Sequence, residues 1–255
     1  MSAVTDRLGL LATPAVRSAV AGALRATLEY HECTGSTQDR ALALAPARAI
    51  VVADEQTAGR GTKERRWSAP AGTSVLVSIV LPGPPPGASV GSLIAGVAVA
   101  RALDRCGAAG ARLKWPNDVL LGGRKVAGIL TQVASGARGA LVAGIGLNVS
   151  QDEAGLGPLR PAATSLALEG VTADRLDVLA RLVDELDRAF AAEPDAVLAE
   201  WRSRSAVLGR QVRVERAGEP AILGVAAGLD PDGALRVETA YGLERILAGE
   251  VVVQG

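Results

Sequence analysis

Apolar residues follow helical spacing at some places in the chain and strand spacing at others, which predicts a mixed α and β architecture. The first helical stretch is 8–28, with Pro14 in the first turn, where its missing N–H costs no hydrogen bond. A second amphipathic helix is predicted over 172–191, with Thr172 as its N-cap. A helix of small residues over 89–103 is expected to pack tightly.

Alternation of apolar and polar side chains predicts the strands. In the larger, N-terminal part of the chain, the predicted strands span 30–32, 50–53 and 73–81. Trp201 belongs to a further short helix, where we expect its indole to lie in the core. From about residue 208 the pattern changes to short strands separated by turn signals, including Asp230-Pro231-Asp232-Gly233. The four predicted strands of this part, which indicate a small β-barrel of about fifty residues, span 211–215, 222–229, 234–238 and 244–253.

The clearest turn signal is Gly122-Gly123, which lies between two apolar runs. Both positions of a two-residue hairpin turn can adopt positive φ when they are glycine, so this pair predicts a hairpin. The hairpin would place Leu120 opposite Lys125 and Val119 opposite Val126.

The predicted strand after the hairpin has the features of a ligand-binding surface. Gly144, Gly146 and Asn148 would share one face of a strand, where two residues without side chains leave a floor that a flat ligand can approach. The side-chain amide of Asn148 lies at one end of this floor.

Lys125 is a cation on an otherwise apolar strand. By alternation it would share its face with Ala127 and Ile129, while Gly128 would point the other way. Because burial of an unpaired ammonium is costly, Lys125 needs a partner, and a bound anion is one candidate.

Lysine and asparagine are rare in this chain. Lysine occurs only at positions 63, 114 and 125, and asparagine only at 117 and 148, while arginine supplies every other cation. Their confinement to one part of the chain indicates that these sites require their chemistry. The alternative is a general preference for arginine that leaves a few lysines at random.

Length and charge exclude several classes of protein. With 255 residues and 49% hydrophobic content, the chain can form one large core, or a core and a small domain. Its net charge is +0, so no overall field attracts nucleic acid or an anionic membrane, and a small molecule or a protein is the expected partner. Cys33 and Cys106 are too few and too far apart for a disulfide framework or a zinc site, and they are typical of cytosolic thiols.

No targeting or membrane segment is expected. The N-terminus lacks a basic segment followed by an apolar core, so we predict no signal peptide and a cytoplasmic protein. The longest charge-free span, 67–100, is split by the proline-rich segment 82–87, which no membrane-spanning helix could absorb.

Two loops could receive an anion. Gly35-Ser36-Thr37 precedes an apolar run and resembles a helix N-terminus, where the hydroxyls cap N–H groups or the free N–H groups bind an anion. The segment 54–67 has glycines on both sides of Arg60, and its backbone and arginines could wrap a phosphate. It lacks the glycine spacing of a Walker A loop, and a solvated basic loop is the alternative.

With these residues in hand, the chain resembles the biotin protein ligases from about Cys33 to its C-terminus. Four ordered motifs followed by a small β-domain make the resemblance highly specific, although any one motif could arise by chance. The motifs are Gly35-Ser36-Thr37; Glu55-Gln56-Thr57-Ala58-Gly59-Arg60-Gly61 through Trp67; Lys114-Trp115-Pro116-Asn117-Asp118 with Arg124-Lys125-Val126-Ala127-Gly128; and Gly144-Ile145-Gly146-Leu147-Asn148.

The resemblance implies an α+β fold with two domains. Residues 1–205 would form a catalytic domain like that of class II synthetases, with a mixed β-sheet backed by helices, and residues 206–255 a C-terminal SH3-like β-barrel. Some family members carry an N-terminal winged-helix DNA-binding domain. Only about thirty residues precede Cys33, too few for that module, so we expect no specific DNA binding. The protein would be a monomer or a homodimer.

The resemblance also implies a two-step ligase reaction. Biotin and MgATP would give biotinyl-5′-adenylate and pyrophosphate, and a lysine on the biotin carboxyl carrier domain of an acyl-CoA carboxylase would then take the biotinyl group. No covalent enzyme intermediate is expected, and the ligands of Mg²⁺ other than the ATP phosphates are unknown.

The family pattern assigns roles residue by residue. Lys125 would counter the charge that grows as the carboxylate attacks, and Asp118 would accept a hydrogen bond from the incoming amine, or else merely close a turn after Pro116. The catalytic residues would be Lys125, Asp118 and Arg60. The biotin-binding residues would be Ser36, Thr37, Gln38, Gln56, Arg60, Gly61, Thr62, Lys125 and Gly128. The residues that bind ATP or the adenylate would be Arg60, Arg65, Trp67, Asn117, Lys125, Gly146 and Asn148.

This chain departs from the family pattern at two positions. Family members usually have a second arginine where this chain has Thr62, and often a glycine where it has Glu64. Loss of a guanidinium removes one charge-assisted contact, so the adenylate would be held less tightly here, or Lys63 would substitute.

Two other readings remain open. Lipoate or octanoyl ligases share the fold of the catalytic domain, but the pairing of the 114–118 and 124–128 motifs, together with the C-terminal barrel, favours biotin. A non-catalytic module that binds the vitamin or its adenylate is the other reading, and Lys125 and Asp118 argue against it.

Overall fold

The structure is a computed structural model that describes residues 8–62, 65–82, 87–134, 139–156, 163–216 and 218–254. A short 3-10 helix, Leu8–Ala12, precedes the regular elements. The α-helices are α1 Pro14–Leu24, α2 Thr37–Leu44, α3 Ala88–Arg105, α4 Glu153–Leu156, α5 Arg175–Ala191 and α6 Pro194–Ser203. The strands of the larger sheet are β1 Thr27–Thr34, β2 Ala49–Gln56, β3 Ser74–Pro82, β4 Arg112–Lys114, β5 Asp118–Leu121, β6 Arg124–Ala134 and β7 Ala140–Asn148. The remaining strands are β8 Gln211–Arg216, β9 Glu219–Leu229, β10 Leu235–Thr239, β11 Gly242–Ile246 and β12 Glu250–Val253.

A seven-stranded mixed sheet organises the larger part of the chain. Its order is β1-β2-β3-β7-β6-β5-β4, with β1 parallel to β2 and every other neighbouring pair antiparallel. Helices α3, α5 and α6 cover one face, and their apolar residues join those of the strands in the main core. This confirms the predicted α+β architecture with a mixed sheet backed by helices.

The opposite face of the same sheet is only partly covered. Helix α2 packs there through Ala41 on a second, smaller core that includes Val51, Val80 and Val142. Farther along the same face of β7, the even-numbered positions are Gly144, Gly146 and Asn148, which line a cavity. The cavity therefore continues the face that α2 leaves uncovered.

Most of the predicted elements are confirmed, with two corrections among the helices. The predicted helix over 8–28 ends at Leu24, and Leu28 lies in β1, because the left-handed Arg25 (φ 49°) terminates the helix. The N-cap of α5 is Asp174 rather than Thr172, since the Asp174 carboxylate accepts hydrogen bonds from the N–H groups of Leu176 and Asp177. Trp201 is 2% exposed, as expected for a core residue.

The C-terminal part forms a five-stranded antiparallel sheet, with the order β11-β10-β9-β8-β12. The single strand predicted over 244–253 is wrong: the chain leaves β11 at one edge of the sheet and returns as β12 at the other edge, beside β8. The turn predicted at Asp230 is confirmed by a hydrogen bond from Gly233 N to Asp230 O of 2.9 Å. Among the described residues this sheet stays open.

Within the described part of the chain, no helix has both the length and the apolar character needed to cross a bilayer. Most of the proline-rich segment lies outside the described residues, as do Lys63 and Glu64.

Candidate active site

A cavity of about 430 Å³ lies between the uncovered sheet face, the loop after β2 and the C-terminal strand β12. Fourteen of the fifteen predicted site residues line it, and Ser36 does not. The fourteen are Thr37, Gln38, Gln56, Arg60, Gly61, Thr62, Arg65, Trp67, Asn117, Asp118, Lys125, Gly128, Gly146 and Asn148. The structure thus brings together residues from six separate parts of the chain.

One end of the cavity is a cluster of neutral polar side chains, which we call the amide end: Thr37, Gln38, Gln56 and Ser78. The Thr37 N–H donates to Gln56 Oε1 at 2.8 Å, and the Thr37 hydroxyl lies 2.9 Å from that of Ser78. The Ser78 hydroxyl donates to Gln38 Oε1 at 3.1 Å. Thr37, Gln38 and Ser78 are buried, Gln56 is partly buried, and all four are joined by hydrogen bonds, so their positions are fixed before any ligand binds.

Ser36 sits at the N-terminus of α2 without capping it. Its backbone is extended, as expected for an N-cap, but its side chain makes no capping hydrogen bond. The residue is 3% exposed, and its Oγ is a buried polar atom that has no partner among the described residues. The capping role considered for this hydroxyl is therefore wrong, and the unpaired hydroxyl leaves open the predicted contact with a ligand.

The glycine hairpin forms as predicted, but its register contains a bulge. Gly122 and Gly123 have φ of 57° and 77°, and Leu120 lies opposite Lys125. Val119, however, lies opposite Ala127 rather than Val126, because a register shift between Val119 and Leu120 inserts one extra residue in β6. The predicted pairing of Val119 with Val126 is therefore wrong.

The bulge turns Lys125 into the cavity. The predicted face, with Ala127 and Ile129, is wrong: those two residues pack in the main core, whereas a Cβ on Gly128 would lie 3.1 Å from Lys125 Nζ. A bulge shifts strand alternation by one residue, which is how it re-aims a side chain next to a site. Lys125 Nζ forms an ion pair of 2.5 Å with Asp118 of β5.

Trp67 covers part of the glycine floor. A Cβ on Gly146 would lie 2.3 Å from the Trp67 ring and one on Gly128 would lie 2.8 Å from it, so only glycine allows this close approach. Lys125 Nζ lies 5.5 Å from the centre of the Trp67 ring, a distance typical of a cation–π contact. The floor predicted for a flat ligand thus holds an indole of the protein itself.

The loop that leads to Trp67 carries Arg60, Arg65 and Arg66, and we call these three residues and Trp67 the arginine loop. Its described parts are joined by a hydrogen bond of 2.8 Å from Gly61 N to Arg65 O. Each of two arginines is paired with a carboxylate from another element.

These two ion pairs lie near the surface. Arg60 pairs with Asp39 of α2 at 2.7 Å, and both side chains are substantially exposed. Arg65 pairs with Glu250 of β12, and this hydrogen bond raises the pKa of the Arg65 guanidinium. The positions of both guanidinium groups therefore depend on exposed contacts that salt can screen.

The segment between Lys114 and Asp118 is held by the rest of the fold. The Trp115 indole donates to Gly233 O at 3.0 Å, and Ser92 donates to Pro116 O at 3.2 Å. Asn117 donates through Nδ2 to Ile129 O at 2.8 Å. These anchors fix the segment, and Asp118 follows it as the first residue of β5, with its carboxylate ion-paired to Lys125.

Several charged or polar residues of the cavity were given no role from the sequence, among them Ser78, Arg66, Lys114 and Glu250. Ser78 could have been found, since it is a hydroxyl on the same face of an apolar strand as Ser74. Arg66 and Lys114 line the cavity without an ion pair to any described residue. Glu250 comes from the last strand, and no local signal connects it with the site.

Cross-strand register orders the site along one direction. Ser78 lies opposite Gly144 at the amide end, and Ser74 lies opposite Asn148 at the other end. Between them, Gly146 lies opposite Gly128, over which the Lys125 ammonium sits. Two steps of two residues along a strand span roughly 13 Å. A cation thus lies midway between an amide end and a second amide, Asn148.

Comparison with known proteins matches this arrangement to a family. Residues 30–150 match the family model described as "Biotin/lipoate A/B protein ligase family", and residues 207–253 match "Biotin protein ligase C terminal domain". The biotin--[acetyl-CoA-carboxylase] ligase of Mycobacterium tuberculosis is 37% identical over 234 residues, which are 86% of each protein. The chain belongs to the biotin protein ligase family.

Solved structures of biotin protein ligases share the fold. One from Aquifex aeolicus in complex with biotin and ATP has a TM-score of 0.76 and 28% identity, covering 89% of this chain and 98% of that one. One from Leishmania major in complex with biotinyl-5-AMP has a TM-score of 0.61 and 26% identity, covering 87% and 99%. The match to a biotin ligase C-terminal domain favours biotin over lipoate.

Proposed function

We propose that this chain is an ATP-dependent biotin protein ligase that activates biotin as biotinyl-5′-adenylate and transfers the biotinyl group to a protein lysine. The observation that carries the proposal is the position of Lys125, midway between the amide end and Asn148 in one cavity. A mixed anhydride of a carboxylate and a phosphate has its negative charge at its middle, where this ammonium lies.

The amide end suits the bicyclic head of biotin. A cyclic urea presents one acceptor and two donors, and the hydroxyls and amides of the amide end offer both kinds of partner. The unpaired hydroxyl of Ser36 supplies one more group for this end.

Lys125 would exchange partners during the first step. In the free protein it is paired with Asp118. When biotin and ATP bind, a biotin carboxylate oxygen attacks the α-phosphorus, the bond to the β-phosphate oxygen breaks, and pyrophosphate leaves with the electron pair. Lys125 and Arg60 counter the negative charge of the carboxylate and the α-phosphate, an effect typically worth a few kcal/mol.

Asp118 would act in the second step. Once Lys125 pairs with the adenylate, the Asp118 carboxylate can accept a hydrogen bond from the acceptor lysine and ease the loss of its proton. The lysine nitrogen then attacks the carbonyl carbon, an amide bond forms, and AMP leaves.

The nucleotide would lie between the arginine loop and β7. Trp67, Gly146, Asn117 and Asn148 surround the adenosine in this proposal, and Gly61 and Thr62 lie with Arg60 at the phosphate. Arg66 and Lys114 are the cavity cations without an ion pair among the described residues. They are therefore available to the polyphosphate, whose negative charge they can counter.

Mg²⁺ would arrive on the ATP phosphates. The described residues contain no cluster of three or more His, Cys, Asp or Glu side chains that could hold a metal. The cavity carboxylates Asp118 and Glu250 are each paired with a cation. Mg²⁺ is commonly bound through substrate phosphates, whose charge it neutralises.

Several finer assignments belong to the same proposal. The acceptor would be the biotin carboxyl carrier domain of an acyl-CoA carboxylase, in the cytoplasm. The chain would divide into a catalytic domain, 1–205, and an SH3-like domain, 206–255. Neither specific DNA binding nor an oligomer larger than a homodimer is expected.

Mass spectrometry of a biotin carrier domain tests the proposed function. The domain is incubated with this protein, biotin and MgATP, and we expect the mass of one biotinyl group on a single lysine. Reactions without ATP serve as controls. If the carrier domain keeps its mass while ATP, biotin and folded protein are present, the proposal is wrong.

A further inference from the structure

Asn148 is the buried amide at the nucleotide end of the cavity, and its orientation is determined by the protein. Its Nδ2 donates to the backbone carbonyl of Thr164 at 2.9 Å. A carbonyl oxygen can only accept, so the nitrogen end of the Asn148 amide must face Thr164. The oxygen end then faces the opposite way.

Gln151 holds that oxygen end. Its Nε2 donates to Asn148 Oδ1 at 2.8 Å and to the Ser74 hydroxyl at 2.5 Å. Ser74 in turn lies 3.5 Å from Asn148 Oδ1 as a second, longer donor. Since Thr164 fixes Asn148, and Asn148 presents an oxygen to Gln151, the orientation of the Gln151 amide follows as well.

Gln151 is itself built into the fold. It is 2% exposed, and its backbone carbonyl accepts a hydrogen bond of 2.6 Å from Ser165. It does not line the cavity, but its side chain is hydrogen-bonded directly to the cavity residue Asn148. Thr164, which accepts the hydrogen bond from Asn148, is also connected to the proposed catalytic lysine, because its backbone N–H donates to Lys125 O at 2.8 Å.

We propose that Gln151 is a positioning residue that locks the Asn148 amide as a hydrogen-bond donor toward the nucleotide. With Oδ1 held by Gln151 and one N–H of Nδ2 held by Thr164, the second N–H is the group of Asn148 left for a ligand. Its partner is an acceptor atom of the nucleotide base or ribose. This inference rests on the proposed function and adds what determines the orientation of the Asn148 amide at the nucleotide end.

Gln151→Met tests the inference, because it keeps the side-chain length and removes the amide, with both its N–H donors and its oxygen. Gln211→Met, at an exposed position of β8, is the matched control. In pyrophosphate exchange, we expect the KM for ATP to rise about tenfold in Gln151→Met, with the KM for biotin within twofold of wild type. The control should match wild type in both.

A double-mutant cycle separates positioning from a general structural role. In an Asn148→Ala background, Gln151→Met should have no further effect on the KM for ATP, since the group that it positions is gone. Additive effects, or equal changes in both KM values, would overturn the inference.

Three further outcomes have a defined meaning. If Gln151→Met fails to fold by circular dichroism, Gln151→Glu replaces it in the same cycle, because its carboxylate presents an acceptor to Asn148 Oδ1, and the same criteria apply. If wild-type protein shows no biotin-dependent exchange, the proposed function fails. If wild-type protein is active and the KM for ATP is unchanged in the variant, this inference fails while the function stands.

Discussion

The amide end and the arginine loop meet in one cavity but are held in opposite ways. At the amide end, Ser78 is fully buried, and its hydroxyl is linked to Thr37 and Gln38. In the arginine loop, Arg60 and Arg65 are 43% and 57% exposed and form ion pairs with carboxylates of α2 and β12. The amide end is formed before the ligand arrives. In the arginine loop, the guanidinium groups are paired with carboxylates that a phosphate can replace.

In the proposed function, the amide end receives the biotin half of the adenylate and the arginine loop the phosphate half. Fixed, neutral groups suit a rigid ring whose hydrogen-bonding edges do not vary. Exposed arginines suit a charged group that must arrive as a triphosphate and leave as AMP and pyrophosphate. Lys125 lies between the two regions, and in the proposed function it acts on both halves of the adenylate.

Substitution of the residue between the two regions should have the largest effect. In Lys125→Ala we expect pyrophosphate exchange to fall by about three orders of magnitude, because charge at the reacting centre loses its counter-ion. Thermal unfolding should stay close to that of wild type, since the Lys125 side chain is partly exposed. Turnover within tenfold of wild type would show that this ammonium is not central.

The amide end should be sensitive to the loss of a single hydroxyl. We expect Ser78→Ala to raise the KM for biotin about tenfold, because Thr37 and Gln38 each lose a buried partner. The KM for ATP should remain within twofold. Ser203→Ala, at an exposed position of α6, is the control. Equal effects on both substrates would place Ser78 outside the biotin end.

The arginine loop should gain from an added guanidinium. In Thr62→Arg, we expect dissociation of biotinyl-5′-adenylate to slow about fivefold, through one more charge-assisted hydrogen bond near the surface. Stopped-flow dissociation of the preformed adenylate measures this rate. An unchanged rate would rule out the idea that Thr62 loosens the adenylate, and leave Lys63, outside the described residues, as the substitute to test.

The smallest effect is expected where a carboxylate only holds an arginine. Asp39→Asn removes the partner of Arg60, but exposed ion pairs contribute little, so the KM for ATP should change by less than about threefold. Steady-state kinetics at low salt measures this KM for ATP, and its fold-change is compared with the fold-change in the KM for biotin of Ser78→Ala. A change as large as that of Ser78→Ala would erase the distinction between the two regions.

Sequence was sufficient for the features that depend on local chemistry. Gly122-Gly123 predicted the hairpin, since positive φ is a property of those two residues. Alternation along β7 placed Gly144, Gly146 and Asn148 on one face, and the structure confirms it. The motifs around Arg60 and Lys125 predicted the residues that meet in the cavity.

Features that depend on distant contacts could not be predicted. The bulge beside Lys125 reversed its expected face, and nothing in the order of apolar residues marks that extra residue. Trp67 fills the glycine floor only because the loop folds back over β6 and β7. Glu250 enters the site from the last strand, and Gln151 acts through Asn148, so both needed the tertiary structure.

A crystal structure with a non-hydrolysable analogue of biotinyl-5′-adenylate tests the central claim most directly. We predict the urea ring against Thr37, Gln38 and Ser78, the linking phosphate or its substitute within hydrogen-bond distance of Lys125 Nζ, and the adenosine beside Asn148. An analogue bound in the reverse direction, or a Lys125 ammonium still paired with Asp118 and away from the linker, would contradict the account.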